Sequence, residues 1–319
     1  MKVSVIGAGA IGGWLTAGFV RGGARATVLA RGASLEALQR RGLILETADG
    51  GPGVLPVTAT DDPGALRGAD LLLLGVKAHD LPALVPVIAE AMTPGTLVMP
   101  AVNGLPFWYF EAFGGPARGM TLEAVDPGGQ LARLMPSDRV LGNVVHAASH
   151  MVAPGHVHLD VAHRLLLGQG AEAEDIAALL CRGGLPASVT PEIHREIWVK
   201  LWGNANMNPL TALARADAAQ LLDDPGACGL VEAMMREMAA LGHRIGHAGF
   251  EDIAGRIATT RTLGPIRTSM LQDVEAGRPV ELGPILGALV ELAARLEQPM
   301  PVSAGVHGLM RLLDRNLRG

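Results

Sequence analysis

Lysine is nearly missing from this chain. Lys2, Lys77 and Lys200 are three lysines among 26 basic residues, and arginine supplies the rest. An arginine-rich codon bias would produce that imbalance, but it also marks each lysine as a candidate for work that arginine cannot do. Cysteine is scarcer still. Cys181 and Cys228 are too few and too far apart for a disulfide framework or a cysteine metal site, which points to a reducing, cytoplasmic setting. Neither sign of charge dominates: 26 basic against 31 acidic residues leave a net charge of −5, without the positive field that would draw nucleic acid. Long apolar runs are also lacking. Residues 3–20 follow Lys2 without a charge and loosely imitate an export signal, yet glycines at 7, 9, 12, 13 and 18 break the run. Residues 91–110 are uncharged too, but Pro94, Pro100, Asn103 and Pro106 interrupt what would have to be roughly 20 apolar residues.

What is present is a folding chain. Hydrophobic residues make up 49% of its 319 residues and charged ones 18%, which excludes disorder and allows about two domains. Lys2 to Ile6 is a β-branched run, followed at once by Gly7-Ala8-Gly9-Ala10-Ile11-Gly12. A helical stretch from Ile11 to Val20 and a second strand, Arg25 to Ala30, come next. Strand, G-x-G-x-x-G, helix and strand in that order form a dinucleotide site. Gly7 allows the tight turn, Gly9 a close phosphate approach and Gly12 close helix–strand packing, while the helix N-terminus offers N–H groups to the pyrophosphate. The second strand ends at Arg31 with no acid before Glu36. A guanidinium there suits a 2′-phosphate, so NADP(H) is the expected cofactor.

Asp70 to Val76 reads as a central parallel strand buried on both faces, with Lys77 at its carboxyl end, where such sheets bind ligands. A helix is expected from Leu81 to Met92 and a strand from Thr96 to Met99, with Asn103 just beyond. Its amide can donate and accept at once between cofactor and substrate. Residues 119–170 look β-rich and hold five of the ten histidines, without a zinc spacing, so no metal is expected. From Pro191 the pattern is helical. Lys200, Asn204 and Asn208 fall at i, i+4 and i+8, on one face and about 6 Å apart along the axis. A lysine and two amides in otherwise core-forming sequence need polar partners, which a substrate or a structural hydrogen-bond network could supply.

Taken together these blocks resemble the ketopantoate reductase (2-dehydropantoate 2-reductase) family over nearly the whole chain. The matching pieces are the glycine motif, Arg31, Val76-Lys77-Ala78, Asn103-Gly104, Trp198-x-Lys200-Leu201-x-x-Asn204-x-x-x-Asn208-Pro209-Leu210-Thr211, Thr268-Ser269-Met270-Leu271-Gln272-Asp273 and Glu281. The resemblance implies hydride transfer from NADPH to C2 of a 2-oxo acid, giving (R)-pantoate for pantothenate and coenzyme A synthesis. It makes Lys200 the proton donor and Glu281 its catalytic neighbour, in reach of cofactor or lysine. Asn103, Asn204 and Asn208 would orient the substrate, Ser269 would hold its carboxylate, and Lys77, Asn103 and Ala148 would line the cofactor. Three departures stand out. Asp217 lies near where the family often has a further asparagine, Arg267 is available as a second carboxylate binder, and Pro106 to Phe113 carries five of the ten aromatics. That aromatic segment is either a packing hairpin or an apolar lid fitted to a bulkier 2-oxo acid.

The expected architecture is α/β: a Rossmann-type NADP-binding domain, 1–190, then an all-helical substrate and catalytic domain, 191–319, with the site in the cleft between them. A small 2-oxo acid is the expected partner, with no nucleic acid and no membrane. The apolar stretches 283–297 and 302–318 suit either a domain core or a homodimer surface. A β-hydroxyacid or 6-phosphogluconate-type dehydrogenase is the nearest alternative, but it favours a glycine-rich approach to its lysine. A non-enzymatic NADP-binding regulator would not need Lys200, Ser269 and Glu281 together.

Overall fold

A computed structural model describes residues 1–48, 50–170 and 172–318. By contacts the chain divides into two compact units, Met1–Val102 with Gln130–Ile193, and Asn103–Gly129 with His194–Gly319. Where a single cut near 190 was expected, residues 103–129 group with the helices.

In chain order the first unit carries β1 (Lys2–Ile6), α1 (Ala10–Arg21), β2 (Arg25–Leu29), α2 (Gly32–Arg41), β3 (Leu43–Thr47), β4 (Gly50–Leu55) and β5 (Thr58–Thr60). It continues with β6 (Leu71–Leu74), α3 (Val85–Ala91), β7 (Leu97–Pro100), α4 (Gln130–Leu134), β8 (Asn143–Ala153), β9 (His156–Gly168), α5 (Ala173–Arg182) and β10 (Ala187–Thr190). A parallel sheet runs β5-β2-β1-β6-β7. The four leucines of β6 are wholly buried, as a central parallel strand covered on both faces requires. A second, mixed sheet runs β10-β9-β3-β4, with β8 antiparallel on β9. Helix α1 touches strands of both sheets, and its residues from Gly12 to Phe19 are all buried. Val3, Val5, Trp14, Leu15, Phe19, Leu43, Leu73 and Val157 belong to one core.

Two local expectations shift. The stretch expected as a helix from Leu81 begins as a 3₁₀ turn, Ala78–Leu84, and becomes α-helical only at Val85. Pro86 has no N–H for the i→i−4 bond to Pro82 that a helix begun at Leu81 would need, and the Pro82 carbonyl accepts from Val85 N–H instead. Residues 127–139 form 3₁₀ and α turns instead of strand, so the β-rich region begins at Asn143.

The second unit holds α6 (Ile193–Ala214), α7 (Ala218–Asp223), α8 (Pro225–Arg244), α9 (Ile253–Arg261), α10 (Ser269–Glu275), α11 (Ala288–Arg295) and α12 (Pro301–Arg318). Pro209 does not end α6. The helix continues to Ala214, and Thr211 donates its hydroxyl to the Met207 carbonyl at 2.7 Å within the proline turn. Residues 103–129 are fastened to this unit by backbone bonds. Leu105 N–H donates to the Pro284 carbonyl at 2.8 Å, and the Glu291 carboxylate accepts from the Glu123 and Ala124 N–H groups at 2.9 Å each.

Phe107, Trp108, Tyr109 and Phe110 are buried here, so of the two readings left open, packing hairpin or lid, the packing one fits. Tyr109 O–H donates to the His194 carbonyl at 2.9 Å and meets His247 Nε2 at 2.6 Å. One hydroxyl proton serves one acceptor, so His247 carries its own proton on Nε2 and donates to the phenol oxygen. Burial, then the charges of Arg195 and His194, pushes His247 down to about 4 and keeps it neutral. His243 and His247, four residues apart, do not share a helix face, because α8 ends at Arg244. Tyr109→Phe should lower stability by about 1–3 kcal/mol, read as a fall in urea midpoint with unchanged far-UV circular dichroism. An unchanged midpoint would remove this bond from the core.

Candidate active site

In the first unit the glycine loop closes on the end of β6. A Cβ on Gly12 would stand 2.0 Å from the Gly7 carbonyl oxygen and 3.0 Å from Gly75 Cα. Gly7, at φ +90°, would meet Val76 and Gly75 within 3 Å. The structure itself therefore requires glycine at both positions. Gly9 is different: the nearest protein atom to its Cβ position is Gly75 O, at an ordinary 3.9 Å. Nothing in the protein forbids a side chain there, so the space above Gly9 suits a ligand, as a pyrophosphate on a helix N-terminus requires. Ala8, Ala10 and Ile11 are partly exposed around it, and Gly9 stands at the N-cap of α1. Arg31, one residue past the Ala30 that follows β2, is exposed and makes no ion pair among the described residues. Lys77 is half-buried at the entry to the 3₁₀ turn after β6. Ala148 lies on the other sheet, paired with Val161 and exposed.

The histidines of β8 and β9 form a surface cluster with acids: His156 lies 3.0 Å from Glu46, His150 3.1 Å from Asp160, and the His150 and His158 rings 5.0 Å apart. Among the described residues no group of three or more His, Cys, Asp or Glu is arranged to hold a metal ion, and no helix is long and apolar enough to cross a membrane.

The second unit carries the polar stripe. Ile197, Trp198, Leu201, Trp202, Ala205 and Met207 bury α6 on most of its circumference. Lys200 is half-buried among them. Burial pushes its ammonium down to about 8, and the Glu281 carboxylate, arriving from 81 residues along the chain, opposes that shift. One turn on, Asn204 Nδ2 donates to Asn103 Oδ1 at 3.0 Å, so the loop residue and the helix residue share one place. Asn208 is buried a further turn along. Ser269 is exposed at the first position of α10, whose cap, Thr268, lies 2.7 Å hydroxyl to hydroxyl from Thr211 of α6. That bond brings Ser269 toward the Asn208 end of the stripe. Sequence reasoning passed over Thr211 and Thr268; both lay inside quoted motifs, and only their three-dimensional pairing shows what they do.

Two expected departures prove local. Asp217 caps α7 by accepting from Gln220 N–H at 2.9 Å, and Gln220 returns the bond at 3.0 Å. A capping box accounts for this aspartate without a substrate. Arg267 is ion-paired with Glu275, so its guanidinium is already held.

A phosphate cradle on a parallel sheet and a lysine–carboxylate pair on a separate helical unit define a dinucleotide-binding oxidoreductase. Comparison with known proteins names the family. "Ketopantoate reductase PanE/ApbA" matches residues 3–107, and "Ketopantoate reductase PanE/ApbA C terminal" matches residues 192–314. A 2-dehydropantoate 2-reductase from Mesorhizobium japonicum is 38% identical, covering 98% of each chain. A crystal structure from Ralstonia solanacearum, a putative ketopantoate reductase by its own description, is 40% identical at a TM-score of 0.93, covering 99% of this chain and 98% of that one. A D-mandelate dehydrogenase solved with NADH and anilino(oxo)acetate shares the fold at 20% identity and a TM-score of 0.82, covering 100% of both chains. The chain belongs to the ketopantoate reductase family.

With three lysines in the sequence, the Lys200 shift is directly measurable. Nitrogen-labelled lysine should show one Nζ signal titrating near 8. Glu281→Gln should move that midpoint lower, because the carboxylate favours the charged form. A midpoint unmoved by Glu281→Gln would remove the pairing.

Proposed function

We propose that the chain reduces 2-dehydropantoate to pantoate with NADPH, the reaction named for its Mesorhizobium japonicum relative. The observation that carries this reading is the half-buried Lys200 held against Glu281 on a helix of this family. The glycine cradle and Lys77 of the first unit would bind the cofactor, with Ala148 and Asn103 as further lining residues. Arg31, exposed with no acid beside it, favours a 2′-phosphate and so NADP over NAD. Bound there, the cofactor supplies hydride to C2 of the 2-oxo acid.

The rest is the work of the second unit. Lys200 delivers a proton to the carbonyl oxygen as negative charge develops on it, where stabilisation speeds the reaction most. A pKa near 8 makes that proton easier to give than one on an ordinary lysine, while leaving the group mostly charged at neutral pH. Glu281 keeps the ammonium charged and aimed. Asn103 and Asn204, already bonded to each other, and Asn208 offer amides to the substrate, and Ser269 a hydroxyl to its carboxylate. A bulkier 2-oxo acid loses its support, because the aromatic segment is core. The free thiols of Cys181 and Cys228 fit a reducing cytoplasm, and the exposed Leu309 and Leu312 of α12 favour a homodimer.

Ketopantoate should be reduced with stoichiometric loss of NADPH absorbance, and an inert response across a 2-oxo acid panel would overturn the reading. Lys200→Ala should lower kcat by about 10²–10⁴-fold while NADPH binding persists; near wild-type turnover would refute the proton-donor role. For the wild-type enzyme kcat/KM should be flat below a pH of about 8 and fall above it, as the ammonium is lost. Arg31→Ala should weaken NADPH at least about tenfold and NADH little, and equal losses would remove the 2′-phosphate assignment.

A further inference from the structure

Arginines in the helical unit are generally answered. Arg236 meets Glu232, Arg261 meets Asp223, Arg278 meets Asp273 and Arg318 meets Asp314. Arg244 reaches the Leu296 carbonyl. Arg256, on α9, is an exception. Its guanidinium makes no ion pair among the described residues, and its Nε is closed off from solvent with no acceptor. Burial pushes its pKa down, with no opposing contribution from an acid. A cation kept in that state is unfavourable unless something else brings the negative charge.

Its place on the helix says what that could be. A Cβ at Gly203 would lie 2.7 Å from Arg256 Nη2 and 3.9 Å from Nε, so the guanidinium rests against α6 in the space this glycine leaves. Glycine is a poor choice for a helix interior, and a packing reason usually explains it there. Gly203 is i+3 from Lys200, which makes the two neighbours on one helix face, about 5–6 Å between Cβ positions. A 2-oxo acid carries a carbonyl and a carboxylate on adjacent carbons. Lys200 addresses the first; the second calls for a fixed cation nearby, and a guanidinium's paired N–H donors match a carboxylate.

We propose that Arg256 is a specificity-determining residue that binds the carboxylate of the 2-oxo acid, admitted to the site by Gly203. This rests on the reductase reading above. It adds to Ser269 a charge that a hydroxyl lacks, and Arg267 cannot supply that charge while paired with Glu275.

Arg256→Met removes the charge and keeps an apolar stem. The KM for ketopantoate should rise about 10- to 100-fold with kcat changed little and the Kd for NADPH unchanged. Thermal stability should hold or increase, since an unanswered charge has gone. Ketopantoyl lactone, the neutral cyclic form without a carboxylate, should be reduced equally well by both proteins. Gly203→Ala gives a second reading: its methyl displaces the guanidinium, so KM for the acid should rise several-fold with the fold intact. An unchanged KM in either variant overturns the proposal, as does an equal rise for acid and lactone. So does weaker NADPH binding in place of weaker acid binding, which would assign Arg256 to a cofactor phosphate. A wild-type protein inert towards both acid and lactone overturns the reductase reading and this inference with it. An active wild type with indifferent variants overturns this inference alone.

Discussion

The helical unit is organised around an ammonium that would be more stable in water. Lys200 projects from α6, a helix buried on most of its circumference, and the desolvation drags its pKa from an ordinary lysine value to about 8. Left to burial alone the group would shed its proton more readily still. Glu281 opposes that, so two opposing effects set the titration near neutrality. The same burial that disfavours the charge also shields it from solvent, where an ion pair would be screened and worth little. Around this balance the surroundings are fixed by direct bonds: Asn204 to Asn103, Thr211 to Thr268, and Leu105 to Pro284.

The first unit meets a different constraint, that of backbone approach. At Gly7, Gly12 and Gly75 the loop, the helix and the end of β6 come so close that any side chain would collide with main chain. Such contacts leave the loop one shape, and what remains on its open side is the uncrowded space at Gly9. No charged residue stands in the first turn of α1 to compete with an anion for the helix N-terminus. The glycine loop is thus shaped by what the sequence omits, whereas the polar stripe on α6 is made by what it adds.

Legibility followed the range of the interaction. β1, α1, β2 and β6 were readable because their signals are contiguous: apolar runs, then glycines, then amphipathic turns. The Lys200, Asn204 and Asn208 stripe was readable because helical spacing is a local rule. Glu281 was not, since no periodicity joins residues 81 positions apart, and the resemblance supplied it. Asn103 was read as a residue following a Rossmann strand, yet its segment groups with the helices, because the N–H groups of Leu105, Glu123 and Ala124 donate to the Pro284 carbonyl and the Glu291 carboxylate. The aromatic run from Phe107 to Phe110 could be read as a packing hairpin or as a lid, since what marks it in the sequence is only that aromatics are rare in this chain. Rarity says nothing about exposure, and Tyr109 found its partners at His194 and His247, far along the sequence.

Asp217 and Arg267 show how a polar residue near a site can mislead. Both stood where a substrate contact was expected, and both are satisfied within eight residues, one by a helix cap and the other by an ion pair. The useful criterion is whether a buried polar group has an answer inside the protein, because an unanswered one is a standing penalty that folding alone gives no reason to keep. Asp217 and Arg267 fail that test as substrate ligands, since removing the substrate would leave them content. Lys200 is answered by Glu281, whose carboxylate favours its charged form. Arg256 stands apart, with five donors, a buried Nε and no carboxylate partner among the described residues. Lys200 on α6 and Arg256, packed from α9 against Gly203 of that helix, differ chemically. A lysine can lose its proton once burial lowers its pKa to about 8, as at Lys200, whereas a guanidinium keeps its charge even when buried.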